Sequence, residues 1–184
     1  MNSAVVIPPR ISHKDYLDME AISPIKHEYV AGRMYAMTGT SDVHNVIAGN
    51  IYMLLRNHLK GTPCQVFMAD VKVKLAEADA FYYPDVMVSC ETPPHSYYRQ
   101  TPNLIVEVLS PSTAKHDSGQ KRIHYQTLDS LQDYILVSQD CMDVRVWRRG
   151  DSGWSMTIYT DGMTVPLTSI AKEIPIEAIY EDVF

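Results

Sequence analysis

Glu107 stands inside the most apolar strand-like run of the chain, Asn103-Leu-Ile-Val-Glu-Val-Leu-Ser110. Taking a carboxylate out of water without a partner costs several kcal/mol, so the site must supply a cation, a metal or a proton. A second apolar run, Tyr83-Pro84-Asp85-Val86-Met87-Val88, carries Asp85 at its mouth. Beyond Glu107, the segment from Asp117 to Tyr125 reads as a short helix that brings in Lys121. Two acids on neighbouring strands and one lysine form a set that can hold a divalent cation against a phosphate.

Each member also has a plainer reading. Asp85 follows Pro84, which removes one ladder donor, and it can be a polar strand end in solvent. Glu107 can be one half of a buried salt bridge to Arg33 or Arg99. Lys121 alone is an ordinary helix lysine; Tyr125, one turn later on the same face, gives it interest. Side chains two apart on a strand share a face, so an acid followed two residues later by lysine would pair a metal ligand with a phosphate-facing cation. That slot here holds Leu109, and Lys121 is its substitute from the helix. His44 either contacts phosphate or caps a helix N-terminus. Tyr125 either fixes Lys121, contacts phosphate or packs in the core.

These residues need elements to position them. Ser12-x-x-Asp15 is a capping-box-like start for a helix over Ser12–Met19. Lys26–Met37 reads as one strand, or two broken at Gly32. From Asp42 to Leu59, Val43, Val46, Ile47, Ile51, Leu54, Leu55 and Leu59 recur at helical spacing. Cys64–Met68, Ala69–Leu75, Tyr83–Ser89, Asn103–Ser110 and Asp133–Ser138 read as strands, and the alternation in Val71–Leu75 predicts one wet face. Thr92–Pro102 reads as a loop, and a helix capped by Asp117-x-x-Gln120 runs to about Leu128. Asp143–Arg149 and Trp154–Thr160 form a hairpin around a Gly-rich turn. The tail from Val165 to Phe184 holds at most a short helix. The expected fold is α/β (mixed α+β), a mixed central sheet flanked by helices, with a C-terminal β-hairpin.

The 184 residues suffice for one domain, 1–184, with a sizeable core. No stretch reaches the ~20 apolar residues of a membrane span, and Met1–Pro9 has no basic n-region or cleavage pattern, so the expectation is a soluble chain without a signal peptide. Cys64, Cys90 and Cys141 show no zinc spacing and read as buried thiols in a reducing cytoplasm. The net charge of −6 argues against a sequence-indifferent nucleic-acid coat but allows a local basic groove, for which Lys115, Lys121, Arg122, Arg145, Arg148 and Arg149 are candidates. Trp147, Trp154, Tyr97 and Tyr98 read as core or interface rather than base-stacking residues.

Taken in order, Tyr83-Pro84-Asp85, Leu104-Ile-Val-Glu107-Val-Leu-Ser-Pro-Ser-Thr113 and Asp117-x-x-x-Lys121-x-x-x-Tyr125 resemble the signature of the Uma-two family of restriction-endonuclease-like, PD-(D/E)xK proteins. The likeness extends through His27-Glu28-Tyr29-Val30-x-Gly32, His44 and Asp133-Tyr134, covering nearly the whole chain. It implies a restriction-endonuclease-like core with Asp85 and Glu107 as metal ligands and Lys121 as the displaced motif lysine. Glu28 becomes an accessory acid, and His44 and Tyr125 become substrate contacts. One departure is Ala31-Gly32-Arg33, where relatives often read Asp-Gly-Glu. The implied activity is Mg²⁺- or Mn²⁺-dependent hydrolysis of DNA phosphodiesters by a cytoplasmic homodimer. The Val108 carbonyl and waters would complete the metal's octahedron. The alternative is a nuclease fold that binds nucleic acid or a protein without cutting.

Overall fold

Strand β8, Pro102–Leu109, divides its side chains between two cores, and the rest of the architecture follows from that division. The computed structural model describes residues 10–92, 97–110 and 117–184. Its elements are α1 (His13–Ile22), β1 (His27–Val30), β2 (Arg33–Ala36), α2 (Asp42–His58), β3 (Gln65–Met68), β4 (Lys72–Leu75), β5 (Ala80–Tyr82), β6 (Val86–Ser89), β7 (Tyr98–Arg99) and β8. A kinked π-helical turn at Asp117–Lys121 leads into α3 (Arg122–Gln126). Then come β9 (Asp133–Ser138), β10 (Asp143–Gly150), β11 (Gly153–Thr160), β12 (Thr164–Leu167), β13 (Lys172–Pro175) and α4 (Ile176–Ile179).

A six-stranded sheet has the order β11-β10-β9-β8-β6-β3, with β8 and β9 parallel and the other neighbours antiparallel. Leu104, Val106 and Val108 face one way, with Val86, Val88, Ile135 and Val137, against Ile47, Ile51 and Leu55 of α2. Full burial of each such side chain contributes about 1.5–3 kcal/mol. Ile105 and its same-face neighbours Met87, Tyr134 and Leu136 face the other way, onto Tyr82, Tyr125 and a second sheet of order β2-β1-β5-β4-β7. Glu107 shares that second face because side chains alternate along a strand. The chain passes from the small sheet to the large one through Tyr83-Pro84-Asp85, between β5 and β6. Asp85 is therefore placed where the two sheets meet.

The predicted starts of α1 and α2 hold. Ser12 Oγ accepts from the Asp15 backbone N–H at 3.1 Å, and Ser41 Oγ accepts from that of His44 at 3.1 Å. Gly32 takes φ +84 in the turn between β1 and β2, where an added Cβ would lie 2.6 Å from Arg10 Cβ. Two requirements, positive φ and a close backbone approach, thus meet at that glycine. Among the described residues, no helix is long and apolar enough to cross a membrane.

Several expectations need correction. The Asp117 helix is not continuous: Gly119 sits at φ −102, ψ −105, and regular helix begins only at Arg122. Ser118 and Gly119 are weak helix formers, and the Asp117 carboxylate is buried beside Lys121. Lys72 is buried, not on a wet face, because its ammonium donates to Tyr83 Oη at 2.9 Å and lies over that ring. The tail forms the β12–β13 pair before its short helix. The loop expected over Thr92–Pro102 contains β7, which pairs with β4; residues 93–96 fall outside the described residues, as do Met1–Pro9, Lys115 and the stretch 111–116 of the family signature.

Nor are the cysteines three buried thiols. Cys64 and Cys90 form a disulfide, and Cys141 is exposed. The first two lie just beyond the Gln65↔Ser89 pair of antiparallel neighbours, so a sequence separation of 26 becomes adjacency in the sheet. Four of the six basic residues proposed as a groove bond within the fold instead. Arg148 pairs with buried Asp133 at 3.0 Å, and Arg149 donates to the carbonyls of Gln126, Leu128 and Leu131. Arg145 pairs with Asp143, and Arg122 bonds Ser118 O and Gln126. Trp147 packs on Tyr134, Trp154 lies beneath Arg149, and Tyr98 packs on Phe81, as a core reading requires, while Tyr97 is exposed.

Candidate active site

Glu107 does find a cation, and it is neither Arg33 nor Arg99. Lys121 Nζ lies 2.9 Å from Glu107 Oε1, 2.9 Å from Glu28 Oε1 and 3.7 Å from Asp117 Oδ1. The three carboxylates arrive from β8, β1 and the kinked turn. The kink brings Asp117 and Lys121, four residues apart, to face the sheet junction together, and Tyr134 Oη anchors the turn by donating to Asp117 O at 2.9 Å. Below the ammonium lies the Tyr82 ring, 5.3 Å away. Arg99 instead stacks on Phe67 and donates to Tyr98 O.

Burial decides the electrostatics of this cluster. It pushes the Glu107 carboxyl well above its ordinary range; Lys121 pulls it back, and Asp117, Asp85 and Glu28 push it up again. Burial also disfavours the Lys121 ammonium, but Glu107, Glu28 and Asp117 together outweigh that effect and raise it well above the usual lysine value. Lys121 is therefore a fixed cation at any ordinary pH. The Tyr125 hydroxyl, sealed at 0% exposure, donates to Glu107 Oε1 at 3.1 Å. Its phenol is lifted well above the usual value, first by burial and then by Glu107, so it remains a donor. Tyr125 thus orients an acid from the core side and does not face the cavity as a substrate contact would.

Asp85 continues the same face. It lies one residue beyond the Val86↔Val106 pair of β6 and β8, opposite Glu107. Its Oδ2 accepts from the Val108 backbone N–H at 2.7 Å, and its Oδ1 is 3.0 Å from His44 Nε2. His44 reaches it from the first turn of α2 and so belongs to the site. Its Nδ1 is buried with no hydrogen-bond partner among the described residues. Glu28, the accessory acid, also accepts from the Tyr83 backbone N–H at 3.3 Å. A cavity of about 650 Å³ is lined by Glu28, His44, Asp85, Glu107, Asp117 and Lys121, and also by Ile25, Lys26, Tyr35, Met37 and Tyr83. Buried Glu20 accepts from Tyr83 Oη and from the His27 backbone N–H, both at 2.9 Å.

Two site residues escaped sequence reasoning. Asp117 was read as a cap, although its i,i+4 spacing to Lys121 is an available signal. Tyr35 carried none until its strand was paired with that of Glu28.

Asp85 and Glu107 offer hard carboxylate oxygens, the donors that Mg²⁺ and Mn²⁺ prefer. Among the described residues, no three or more His, Cys, Asp or Glu side chains form a ready metal cage. Mg²⁺ is held by one or two carboxylates with waters and substrate phosphate, and Asp85 and Glu107 line the same cavity. A buried acid whose carboxyl is pushed upward gains from a nearby divalent charge, so the donor set suits the ion.

The model of the Uma2 family, described as "Putative restriction endonuclease", matches residues 13–176. Two uncharacterized proteins of Synechocystis sp. are similar over most of their lengths. Protein slr1290 is 35% identical over 175 residues, 94% of this chain and 92% of its own; sll1609 is 34% identical over 148 residues, 78% and 84%. A crystal structure from Anabaena variabilis, described as a "putative nuclease", superposes with a TM-score of 0.78 at 16% identity, covering 96% of this chain and all of that one. At that identity the likeness carries the fold alone, a mixed α/β architecture.

Proposed function

From the premise that this chain belongs to the Uma2 family of restriction-endonuclease-like proteins, we propose that it is a metal-dependent endonuclease that hydrolyses DNA phosphodiester bonds. One observation carries the reading: a buried lysine held at 2.9 Å from each of two acids, with a third acid, Asp85, just before β6, all on one cavity. In this reading residues 1–184 form one domain. Asp85 and Glu107 hold Mg²⁺ or Mn²⁺. A bound divalent ion supplies a Lewis acid for a phosphate oxygen and a more acidic water. Lys121, already charged, orients the attacking water and offsets charge growing on the phosphorus. Glu28 and Asp117 keep Lys121 protonated and in place, Tyr125 fixes Glu107, and His44 fixes Asp85 from the side open to substrate.

A second reading has its own support. Both Asp85 oxygens are already bonded, and Leu109 fills the common lysine slot, as suits a domain that binds nucleic acid or a protein without cutting. Supercoiled plasmid incubated with Mg²⁺ separates the two. The endonuclease reading expects nicking that is abolished by EDTA and by Asp85→Ala; an intact plasmid under all conditions leaves only the binder.

A homodimer belongs to the same proposal. β11 is the edge of the large sheet and exposes Met156 and Ile158 on one face, an arrangement suited to pairing with a second copy. Sedimentation equilibrium should give twice the chain mass and revert to one in Ile158→Lys; a monomer throughout removes the dimer from the reading. A cytoplasmic location is also part of it, and the Cys64–Cys90 bridge is the observation that stands against that location.

A further inference from the structure

The floor and the rim of the cavity differ in chemistry. Glu107 and Lys121, at the floor, are 3% and 5% exposed; Tyr35 and Ile25, at the rim, are 51% and 52% exposed. Tyr35 is the cross-strand partner of Glu28 in the β1–β2 pair. Directly opposed side chains share a sheet face with Cβ atoms about 4.5–5.5 Å apart, so this aromatic ring stands beside the acid that holds Lys121. Ile25 and Met37 also line the cavity, and the Met37 backbone N–H donates to Lys26 O at 2.8 Å. On the other side, Ser41 Oγ donates to Gln139 Oε1 at 2.7 Å, tying the start of α2 to the residue after β9. The result is a slot with an exposed aromatic and apolar lip over a buried ionic floor.

A continuous duplex makes poor use of such a slot. It is a stiff rod whose bases are stacked on one another, so an aromatic lip beside the phosphate gains nothing from them. Arg122, Arg145, Arg148 and Arg149 are committed to internal partners, so these four contribute little backbone charge neutralisation to either form, and base stacking decides between them. A strand with unpaired bases bends into a cleft, and each free base face stacks on an aromatic ring.

We infer that the cavity takes an unpaired nucleotide strand, one base stacked on Tyr35 and the adjoining phosphate directed to the Glu107–Lys121 floor. This deepens the endonuclease reading and rests on it for the phosphate site. The substrate class becomes single-stranded or frayed nucleic acid, and Tyr35 becomes a binding residue that selects it.

The test is fluorescence anisotropy of the full chain, with Ca²⁺ in place of Mg²⁺, titrated against a labelled oligothymidylate, the RNA strand of the same sequence and a DNA duplex. The DNA strand should bind at least about tenfold more tightly than the duplex; Tyr35→Ala should lose about tenfold on the strand and little on the duplex, while Tyr35→Phe keeps the preference. Tyr35 is half exposed, and a thermal melt checks that Tyr35→Ala is folded. An RNA strand bound as tightly as DNA supports the same base-stacking subsite; one bound much more weakly assigns the subsite to DNA. Equal or tighter duplex binding, or a folded Tyr35→Ala that matches wild type, overturns the inference. Duplex cleavage without strand preference would keep the endonuclease and remove this subsite, whereas strand preference without any cleavage would do the reverse.

Discussion

Lys121→Met is expected to lose about 3–5 kcal/mol of stability at neutral pH, read as a lower urea midpoint, together with all cleavage activity. The side chains are similar in length, so the loss reflects charge. With the ammonium gone, Glu28, Glu107 and Asp117 are left close together and nearly dry, with no cation among them. The pH dependence follows from the raised Lys121 value. A base whose folded pKa lies above its unfolded one contributes stability fully below the unfolded value, 10.5, and loses it as pH rises through the folded value. The wild-type advantage over Lys121→Met should therefore persist through neutral pH and fade only in strong alkali. Towards acid the gap should narrow, because Glu107, whose carboxyl burial already pushes up, takes up a proton in the variant. A variant as stable as wild type at pH 7 would mean that the three acids do not depend on this lysine.

Glu107→Gln is expected to behave in the opposite way, sparing the fold and removing the chemistry. A glutamine keeps an oxygen where Tyr125 and Lys121 now donate, and Lys121 retains Glu28 and Asp117. Stability at neutral pH should change by no more than about 1 kcal/mol. Cleavage should fall on the order of 10²–10³-fold or more, the scale for losing one preorganised electrostatic group. Glu107 has a folded pKa raised by burial, so its proton is held more tightly in the folded state. Its contribution is full below the ordinary value of 4.5 and is lost as pH rises through the raised one. Wild type should thus gain on Glu107→Gln as the solution is acidified from neutral towards 4.5. Denaturant titrations of both proteins across that window give the difference directly. A difference that stays flat, or runs the other way, contradicts the burial of this acid.

How much of this was legible in the chain differs from residue to residue. Glu107 was conspicuous because a charge inside Leu-Ile-Val-x-Val-Leu has no bland explanation, and α2 because seven apolar residues keep helical spacing. Strands β5 and β7, at three and two residues, are too short to show a period, and β12 and β13 carry Pro166 and Pro175, which read against strands. Lys121 was found in sequence, but its depth was not: its position depends on a break at Gly119, and a helical pattern over 117–125 conceals that break. The disulfide and the Glu28–Tyr35 pairing come from strand register, which no local pattern encodes. Arginines 122, 145, 148 and 149 resembled a groove because charge in sequence does not show which carbonyl or carboxylate waits across the fold. The fold was thus readable through its longest elements and the site through its misplaced acid, while everything dependent on register was not.

The account turns on whether Asp85 and Glu107 together hold a divalent ion, and calorimetric titration of Mg²⁺ into the full chain addresses that most directly. Wild type should bind the ion, and Glu107→Gln and Asp85→Ala, each shown to be folded, should lose that binding. Metal binding of the same strength in all three proteins, or none in wild type, would contradict it.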